Sequence, residues 1–204
     1  MELPEEIKRS RDGRMVTLMG YDSPVPYWDD PRVHIFGNNN PISAIAAPLA
    51  TKMIDIAAYD GVDLRKKIIN DVVKEQGKSI VDLCCGSGAS TAPFGTGVDT
   101  SSAFLNMASL KGIFNPKQNF VKGNAETWGE PDSFDVVTCM FATHEMPRAA
   151  RRRVVNNAKR IARKRVIFVD IDPNYTPSEA MLSGEPYVLE YQKNVDADFR
   201  MLGA

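Results

Sequence analysis

Short apolar runs alternate with segments of helical spacing from about residue 64 onward, and this alternation constrains the fold more than any other feature. The first run covers residues 79–83, and comparable runs occur at 97–99, 120–121, 134–139 and 166–170. Near-continuous apolar strands that are separated by helices are typical of a parallel sheet covered on both faces. The sequence therefore predicts an α/β fold with a mainly parallel sheet of about five strands.

Helices are predicted before and after these runs. An amphipathic helix is expected from about residue 43 to residue 60, with apolar residues at Ile45, Leu49, Met53, Ile56 and Ala57. A second helix is expected from Leu64 to Gly77, since glycine suits the left-handed position after a helix. The C-terminal part predicts a Pro-rich loop and then a helix over 186–199.

The overall charge is balanced, with 25 Lys and Arg against 26 Asp and Glu. This balance gives no reason to expect a nucleic acid or an anionic membrane as the main partner. The basic residues between 148 and 165 accompany small and aliphatic residues at helical spacing, which indicates mainly a solvated helix face. A nucleic-acid or anionic-lipid patch is the alternative interpretation of that run.

The 3 cysteines form no Cys-x-x-Cys pair and there are only 2 histidines, so no metal site is predicted. Free cysteines without a disulfide pattern favour a reducing compartment, and we expect a cytoplasmic protein. The longest apolar region, 42–59, is interrupted by Lys52 and Asp55, so no membrane span is predicted.

Residues 1–42 are rich in charge, Pro and Asn, and we interpret them as an irregular arm or lid. Residues 43–204 are expected to form one domain, with its core at 62–172. Several aromatic residues either line a substrate pocket or anchor irregular segments to the core: Tyr27, Trp28, Tyr175, Tyr187 and Tyr191.

A glycine turn follows the first predicted strand directly, in the segment Asp-Leu-Cys-Cys-Gly-Ser-Gly at residues 82–88. Glycines at such a turn let the backbone approach a ligand closely, and a helix that follows offers free N–H groups. A plain strand-to-helix turn explains this segment equally well when it is considered alone.

Three later segments favour a nucleotide-containing ligand. Asp99 ends the second predicted strand, where an acid can bind ribose hydroxyls. Asn124 and Ala125 follow the third strand, and the fourth strand ends near Cys139. Since ligands of open parallel sheets lie at the carboxyl ends of the strands, these segments are expected to converge there.

Taken in order, these segments resemble the class I S-adenosylmethionine (SAM)-dependent methyltransferases. The motifs are Asp-Leu-Cys-Cys-Gly-Ser-Gly, Gly-Val-Asp-Thr-Ser, Gly-Asn-Ala-Glu and Ser-Phe-Asp-Val-Val, within residues 62–172. The resemblance is strongest to the methyltransferase type 11 and ubiquinone/menaquinone-biosynthesis branch. It implies a Rossmann-like three-layer sandwich with strand order 3-2-1-4-5. NAD or FAD binding is the competing interpretation, which the order of the later loops fits less well.

The resemblance also implies roles for individual residues around the methionine part of SAM. That part would bind the glycine turn at Cys84, Gly86, Ser87 and Gly88. Asp82 would orient the turn or reach the ammonium group, and Cys139 would offer its backbone near the methionine.

The nucleoside part of SAM would be bound by the second and third loops. Asp99 would accept hydrogen bonds from the ribose hydroxyls, and Thr100 would lie beside the adenine. Asn124 and Ala125 would bind the adenine edge.

Two departures from the family pattern are visible. The distance from Gly88 to Asp99 is short and includes Pro93, so about one helical turn is expected after the glycine turn. No sixth or seventh strand is visible after residue 171. The exposed fifth strand or the C-terminal helix would then be available for a homodimer.

The resemblance implies methyl transfer from SAM to a small-molecule acceptor by in-line displacement, with S-adenosylhomocysteine as product. His144 is the candidate general base, and a structural pairing of His144 with Glu145 is the alternative. A SAM-binding module without catalysis, acting with a partner subunit, is a second hypothesis. Aminopropyl transfer is a third, for which the acidic residues are few.

Overall fold

The sheet in the computed structural model has five strands, which are all parallel to their neighbours. The structure describes residues 26–33, 37–59, 61–75, 79–112 and 118–202. The strands are β1 (Ile80–Leu83), β2 (Thr96–Asp99), β3 (Asn119–Lys122), β4 (Phe134–Met140) and β5 (Ala162–Val169). Their spatial order is 3-2-1-4-5, which confirms the predicted sheet. Only β5 differs noticeably from its predicted start, since it begins at Ala162 instead of Val166.

The described part of the chain also contains six α-helices. They are α1 (Pro41–Tyr59), α2 (Leu64–Glu75), α3 (Ser102–Gly112), α4 (Arg148–Ile161), α5 (Glu179–Gly184) and α6 (Val188–Phe199). Short 3-10 helices cover Tyr27–Asp29, Thr143–Glu145 and Arg200–Leu202. The helices predicted before β1 and near the C-terminus are confirmed, whereas α5 was not predicted. Gly77, the predicted end of the second helix, lies outside the described residues.

Apolar side chains on the two faces of the sheet form two separate cores. On one face, Val81 and Val137 pack in a cluster with Val154 and Ile161 of α4. On the other, Ile80 and Val136 pack with Ile69 of α2. Successive residues of a strand point to opposite faces, so β1 and β4 contribute to both cores. This arrangement confirms the three-layer sandwich.

No helix lies between β1 and β2, where one helical turn was expected. Residues 84–95 form only turns and bends, and the prediction of a helical turn was wrong. Four residues in this stretch have positive φ angles: Cys84 (57°), Gly86 (51°), Gly88 (76°) and Phe94 (69°). Left-handed residues cannot continue a right-handed helix, and Pro93 removes a backbone donor as well.

Part of the predicted N-terminal arm lies outside the described residues, namely 1–25 and 34–36. In the described part, Tyr27 packs against the core beside α4, with its ring centroid 6.4 Å from that of Tyr187. Tyr187 and Tyr191 are buried, whereas Tyr175 is exposed. Of the two roles considered for these aromatic residues, anchoring irregular segments to the core therefore fits Tyr27, Tyr187 and Tyr191. The function of the arm as a lid stays a prediction.

Helix α1 is amphipathic as predicted, but its apolar face points outward. It begins after Asn40, whose Oδ1 accepts a hydrogen bond from the N–H of Ile42 at 2.8 Å. Ala44 is buried. Five large apolar side chains of the helix are 59–70% exposed: Ile42, Ile45, Leu49, Met53 and Ile56. None of the helices in the described residues is long and apolar enough to cross a membrane.

The basic run of α4 is not only a solvated face, and that interpretation was wrong for Arg151. Arg151 is fully buried, with its Nε 2.9 Å from Oδ2 of Asp198 in α6. Arg148 contacts the other oxygen of Asp198 at 3.0 Å. Arg153 contacts Glu126 at 2.5 Å. These pairs attach α4 to α6 and to the loop after β3, and the partners are too distant in sequence for periodicity to indicate them.

Strand β5 is an edge of the sheet in the described part of the chain, where α5 and α6 follow it instead of a sixth strand. Residues 163–165 are charged and exposed, which disfavours pairing with a further strand there. Near its other end, the ring of Phe168 lies 5.2 Å from that of Phe199 in α6. The predicted homodimer stays a prediction.

The Asp198 ion pair generates a stability prediction. Asp198→Asn is expected to lower the free energy of unfolding by about 3–5 kcal/mol, because the guanidinium of Arg151 stays buried without its counter-charge. Urea denaturation of both proteins measures the difference. Asp196→Asn is the matched control, because Asp196 is exposed on the same helix. Equal losses in the two variants would contradict the role given to the buried pair.

Candidate functional site

The predicted site residues converge at the carboxyl ends of the strands, around β1 and β4. These two strands are neighbours, and the strand order changes direction between them. Such a switch point opens a crevice in which open α/β sheets bind ligands. Cys84 directly follows β1, and Cys139 lies opposite Leu83. A hydrogen bond with Cys84, together with burial, raises the pKa of the Cys139 thiol.

Asp82 is buried in β1 and is fixed by three hydroxyl groups. Its Oδ2 accepts hydrogen bonds from Ser90 at 2.7 Å and Thr91 at 3.0 Å, and its Oδ1 accepts one from Thr138 at 2.9 Å. Burial raises its pKa to about 6. Of the two roles considered for Asp82, these contacts support the orientation of the segment after the glycine turn.

Asp99 connects the loop after β2 to the glycine turn after β1. Its Oδ2 accepts a hydrogen bond from the N–H of Gly86 at 2.8 Å, and its Oδ1 accepts one from the N–H of Ser101 at 2.8 Å. The carboxylate of Asp99 therefore holds the backbone of the glycine turn in place. In many related folds the first turn of a helix follows the glycines at this point. The carboxylate predicted for the ribose thus lies directly beside the glycines predicted for the methionine.

The glycines of the turn differ in what surrounds them. A Cβ on Gly88 would lie 2.8 Å from Cζ of Phe120, so this glycine permits close packing. A Cβ on Gly86 would meet nothing nearer than Cδ1 of Phe104 at 3.8 Å. Gly86 therefore has room for a Cβ, which would lie in ordinary van der Waals contact with Phe104, and Ser87 between the two glycines is buried.

The loop after β3 is held from within and from α4. Oδ1 of Asn124 accepts a hydrogen bond from the N–H of Glu126 at 2.9 Å. Nδ2 of Asn157 donates to the carbonyls of Ala125 at 2.8 Å and Trp128 at 2.9 Å. Sequence reasoning found Asn124 and Ala125 but missed Asn157, which stands in the basic run without a distinguishing signal.

The described part of the arm reaches the loop after β2. Nδ2 of Asn38 donates a long hydrogen bond of 3.4 Å to Oγ1 of Thr100. The hydroxyl of Ser101 donates to the carbonyl of Asn38 at 2.5 Å. Thr100 therefore contacts a segment that sequence reasoning did not connect to the site, and its place beside the adenine stays a prediction.

His144 pairs mainly with Asp170, not with its neighbour Glu145. Nδ1 of His144 lies 2.5 Å from Oδ1 of Asp170, whereas Nε2 lies 4.0 Å from Oε1 of Glu145. The other oxygen of Asp170 accepts hydrogen bonds from the N–H and the hydroxyl of Thr143 at 2.7 and 2.5 Å. Asp170 directly follows β5, just as Asp99 is the last residue of β2. An acidic residue at the carboxyl end of a strand was therefore the sequence signal that could have identified Asp170.

Burial and charge act in opposite directions on the His144 pair. Burial alone lowers the pKa of His144, but the charge of Asp170 and its hydrogen bond outweigh burial and raise that pKa to about 9. Burial raises the pKa of Asp170, but His144 and the donors around the carboxylate hold it below its usual value. For Glu145, burial dominates and raises the pKa to about 7. The pair is therefore an imidazolium and a carboxylate at neutral pH.

The comparisons with known proteins agree with this geometry. Residues 80–165 match the family model described as a methyltransferase domain. This segment of the chain is therefore similar to methyltransferase domains. An Aquifex aeolicus SAM-dependent methyltransferase shares the fold, with a TM-score of 0.55 at 14% identity over 80% of this chain and 88% of that one.

Two curated relatives are themselves uncharacterised methyltransferases. The relative from Synechocystis sp. is 31% identical over 104 residues, or 47% of this chain and 47% of that protein. The relative from Bacillus subtilis is 29% identical over 114 residues, or 50% of this chain and 43% of that protein. The chain thus spans about half the length of the curated relatives it matches.

The raised pKa of Asp82 generates a pH prediction. Because the folded pKa of about 6 exceeds the usual 3.8, the unfolded chain ionises first as pH rises. The contribution of Asp82 to stability is therefore present at pH 4 and is lost as pH rises through 6. The difference in unfolding free energy between the wild type and Asp82→Asn is expected to change by about 2–3 kcal/mol between pH 4 and pH 7. Parallel stability curves for the two proteins in urea denaturation would contradict this prediction.

Proposed function

We propose that this chain binds SAM at the carboxyl edge of β1, β2, β3 and β4 and transfers its methyl group to a small-molecule acceptor, with S-adenosylhomocysteine as product. The observation that carries the proposal is the hydrogen bond between Asp99 and the N–H of Gly86. It brings together the two elements that a nucleoside with an amino-acid tail requires, a carboxylate for ribose hydroxyls and an open glycine turn.

The residues present fit SAM in several respects. A Cβ on Gly86 would already contact Phe104, so a large side chain at this position would obstruct the methionine part. Asp99 would accept hydrogen bonds from the ribose hydroxyls, with Thr100 beside the adenine. Asn124 and Ala125 would contact the adenine edge from a loop that Asn157 holds in place. Cys84, Ser87, Gly88 and the backbone of Cys139 would complete the methionine side.

Bound SAM would supply a methyl group on a positively charged sulfur. The protein's contribution to an in-line displacement is mainly alignment of the acceptor, for which positioning is worth on the order of 7–11 kcal/mol. The acceptor side is formed by the loop after β4 and by Asp170, which fixes that loop through Thr143. General-base catalysis by His144 requires a neutral imidazole, and a pKa of about 9 opposes that condition at neutral pH. The catalytic role of His144 stays a prediction.

SAM binding can be tested by isothermal titration calorimetry with SAM and S-adenosylhomocysteine. Asp99→Asn is expected to weaken binding by about 1.5–3 kcal/mol, because it removes a charged hydrogen-bond acceptor. Gly86→Arg is expected to abolish binding, because its side chain would occupy the space beside the turn. Asp71→Asn is the matched control, since Asp71 is exposed on α2. Wild-type affinity in both site variants, with folding verified by circular dichroism, would show that the site is misplaced.

A SAM-binding module that acts with a partner subunit is the second candidate function. The outward apolar stripe of α1 favours it, because Ile42, Ile45 and Leu49 are each at least 65% exposed. Incubation of the isolated chain with methyl-labelled SAM and a metabolite extract separates the two candidates. Label transfer by the chain alone would remove the partner-dependent alternative, and SAM binding without any transfer would favour it.

A further inference from the structure

Three potential metal ligands meet beyond the loops proposed for SAM. They are the side chains of His144, Glu145 and Glu185, whose ligand atoms all lie within 4.8 Å of one another. His144 and Glu145 belong to the 3-10 helix after β4, and Glu185 follows α5. His144 is buried and the two glutamates are half-buried. The fold therefore brings one imidazole and two carboxylates to the same point.

The backbone on both sides of this cluster is fixed by hydrogen bonds. Oδ2 of Asp170 accepts the N–H groups of Thr143 at 2.7 Å and His144 at 3.2 Å. On the opposite side, the N–H of Glu185 donates to the carbonyl of Met181 at 2.8 Å. The carbonyl of Glu185 accepts the N–H of Val188 at 3.2 Å. The three side chains therefore start from positions that the fold determines.

The orientation of His144 is the observation that points to a ligand. Its side chain is only 9% exposed, and Asp170 holds Nδ1, which directs Nε2 toward Glu145. The distance of 4.0 Å from Nε2 to Oε1 of Glu145 is too long for a hydrogen bond. A histidine whose second nitrogen is held by a carboxylate is the usual arrangement of a metal-ligating histidine.

The distances and charges suit a small cation. Ligand atoms at about 2.0–2.2 Å from a common ion lie about 3.0–3.6 Å apart in tetrahedral or octahedral geometry. The three ligand atoms, which all lie within 4.8 Å of one another, would therefore move closer together around the ion. Glu145, Glu185 and Asp170 bring three carboxylates to a single imidazole. An ion with two positive charges would offset this excess of negative charge. A ligand set of imidazole and carboxylates suits manganese, iron and zinc.

We propose that His144, Glu145 and Glu185 bind a divalent first-row metal ion such as Mn²⁺, which displaces the proton from Nε2 of His144 into solvent, with Asp170 as the residue that positions His144. Three protein ligands leave coordination positions open for water or another oxygen ligand. The cluster could not be found from sequence, because Glu185 reaches His144 only through the packing of the segments after β5. This metal site goes beyond the methyl-transfer proposal and does not depend on it.

Titration with Mn²⁺ alone, followed by electron paramagnetic resonance, tests the site, because bound Mn²⁺ loses the sharp signal of the free ion. The wild type is expected to bind a single equivalent. Glu185→Gln and Glu145→Gln are each expected to weaken binding by about 10–100-fold or more. Glu179→Gln, on the exposed surface of α5, is the matched control and is expected to bind as the wild type does.

Two results would overturn the metal site: no binding by the wild type at millimolar Mn²⁺, or unchanged affinity in both glutamine variants. Circular dichroism on the same samples shows whether each variant is folded, and the two separate glutamate variants keep the test informative if one of them fails to fold. A parallel calorimetric titration with SAM reports the cofactor site independently. Loss of Mn²⁺ binding with intact SAM binding therefore separates this inference from the proposed function.

Discussion

Carboxylates at the carboxyl edge of the sheet hold together nearly everything that the site requires. Asp82 binds the hydroxyls of Ser90 and Thr91, and Asp99 binds the N–H of Gly86. Asp170 accepts a hydrogen bond from the N–H of Thr143 in the loop after β4. A hydrogen bond to a charged group contributes about 1.5–3 kcal/mol. Such bonds, together with His144, outweigh the cost of burying Asp170, whereas at Asp82 they offset only part of that cost and its pKa stays raised. The loops are consequently fixed by side chains that the strands themselves carry.

This arrangement explains how the glycine turn keeps its conformation although no helix follows it. Residues 84–95 contain only turns and bends, so the free N–H groups of a helix N-terminus are not present there. Asp99 instead orients the N–H of Gly86, and Phe120 packs where Gly88 lacks a Cβ. The cofactor side proposed here thus depends on specific contacts between β1, β2 and β3, and single substitutions at these contacts should affect binding directly.

The acceptor side depends on longer-range contacts. Arg151 connects α4 to α6 through Asp198, and its Nη1 also donates to the carbonyl of Thr143 at 3.4 Å. Thr143 and His144 are in turn fixed by Asp170. The segments after β5 thereby pack against α4 and bring Glu185 to His144. The proposed metal site is a consequence of this packing.

The sequence by itself determined the parallel sheet and the convergence of Asp82, Gly86, Asp99 and Asn124 at its carboxyl edge, because periodicity and turn residues act locally. The strand order 3-2-1-4-5 was implied by the resemblance of the ordered motifs to a known family. It did not determine the partners of buried charges, since Arg151 and Asp198 are 47 residues apart and no local pattern pairs them. The backbone of the glycine turn and the outward face of α1 also required the structure. Only tertiary packing decides which surfaces of these elements are covered and which carboxylate meets His144.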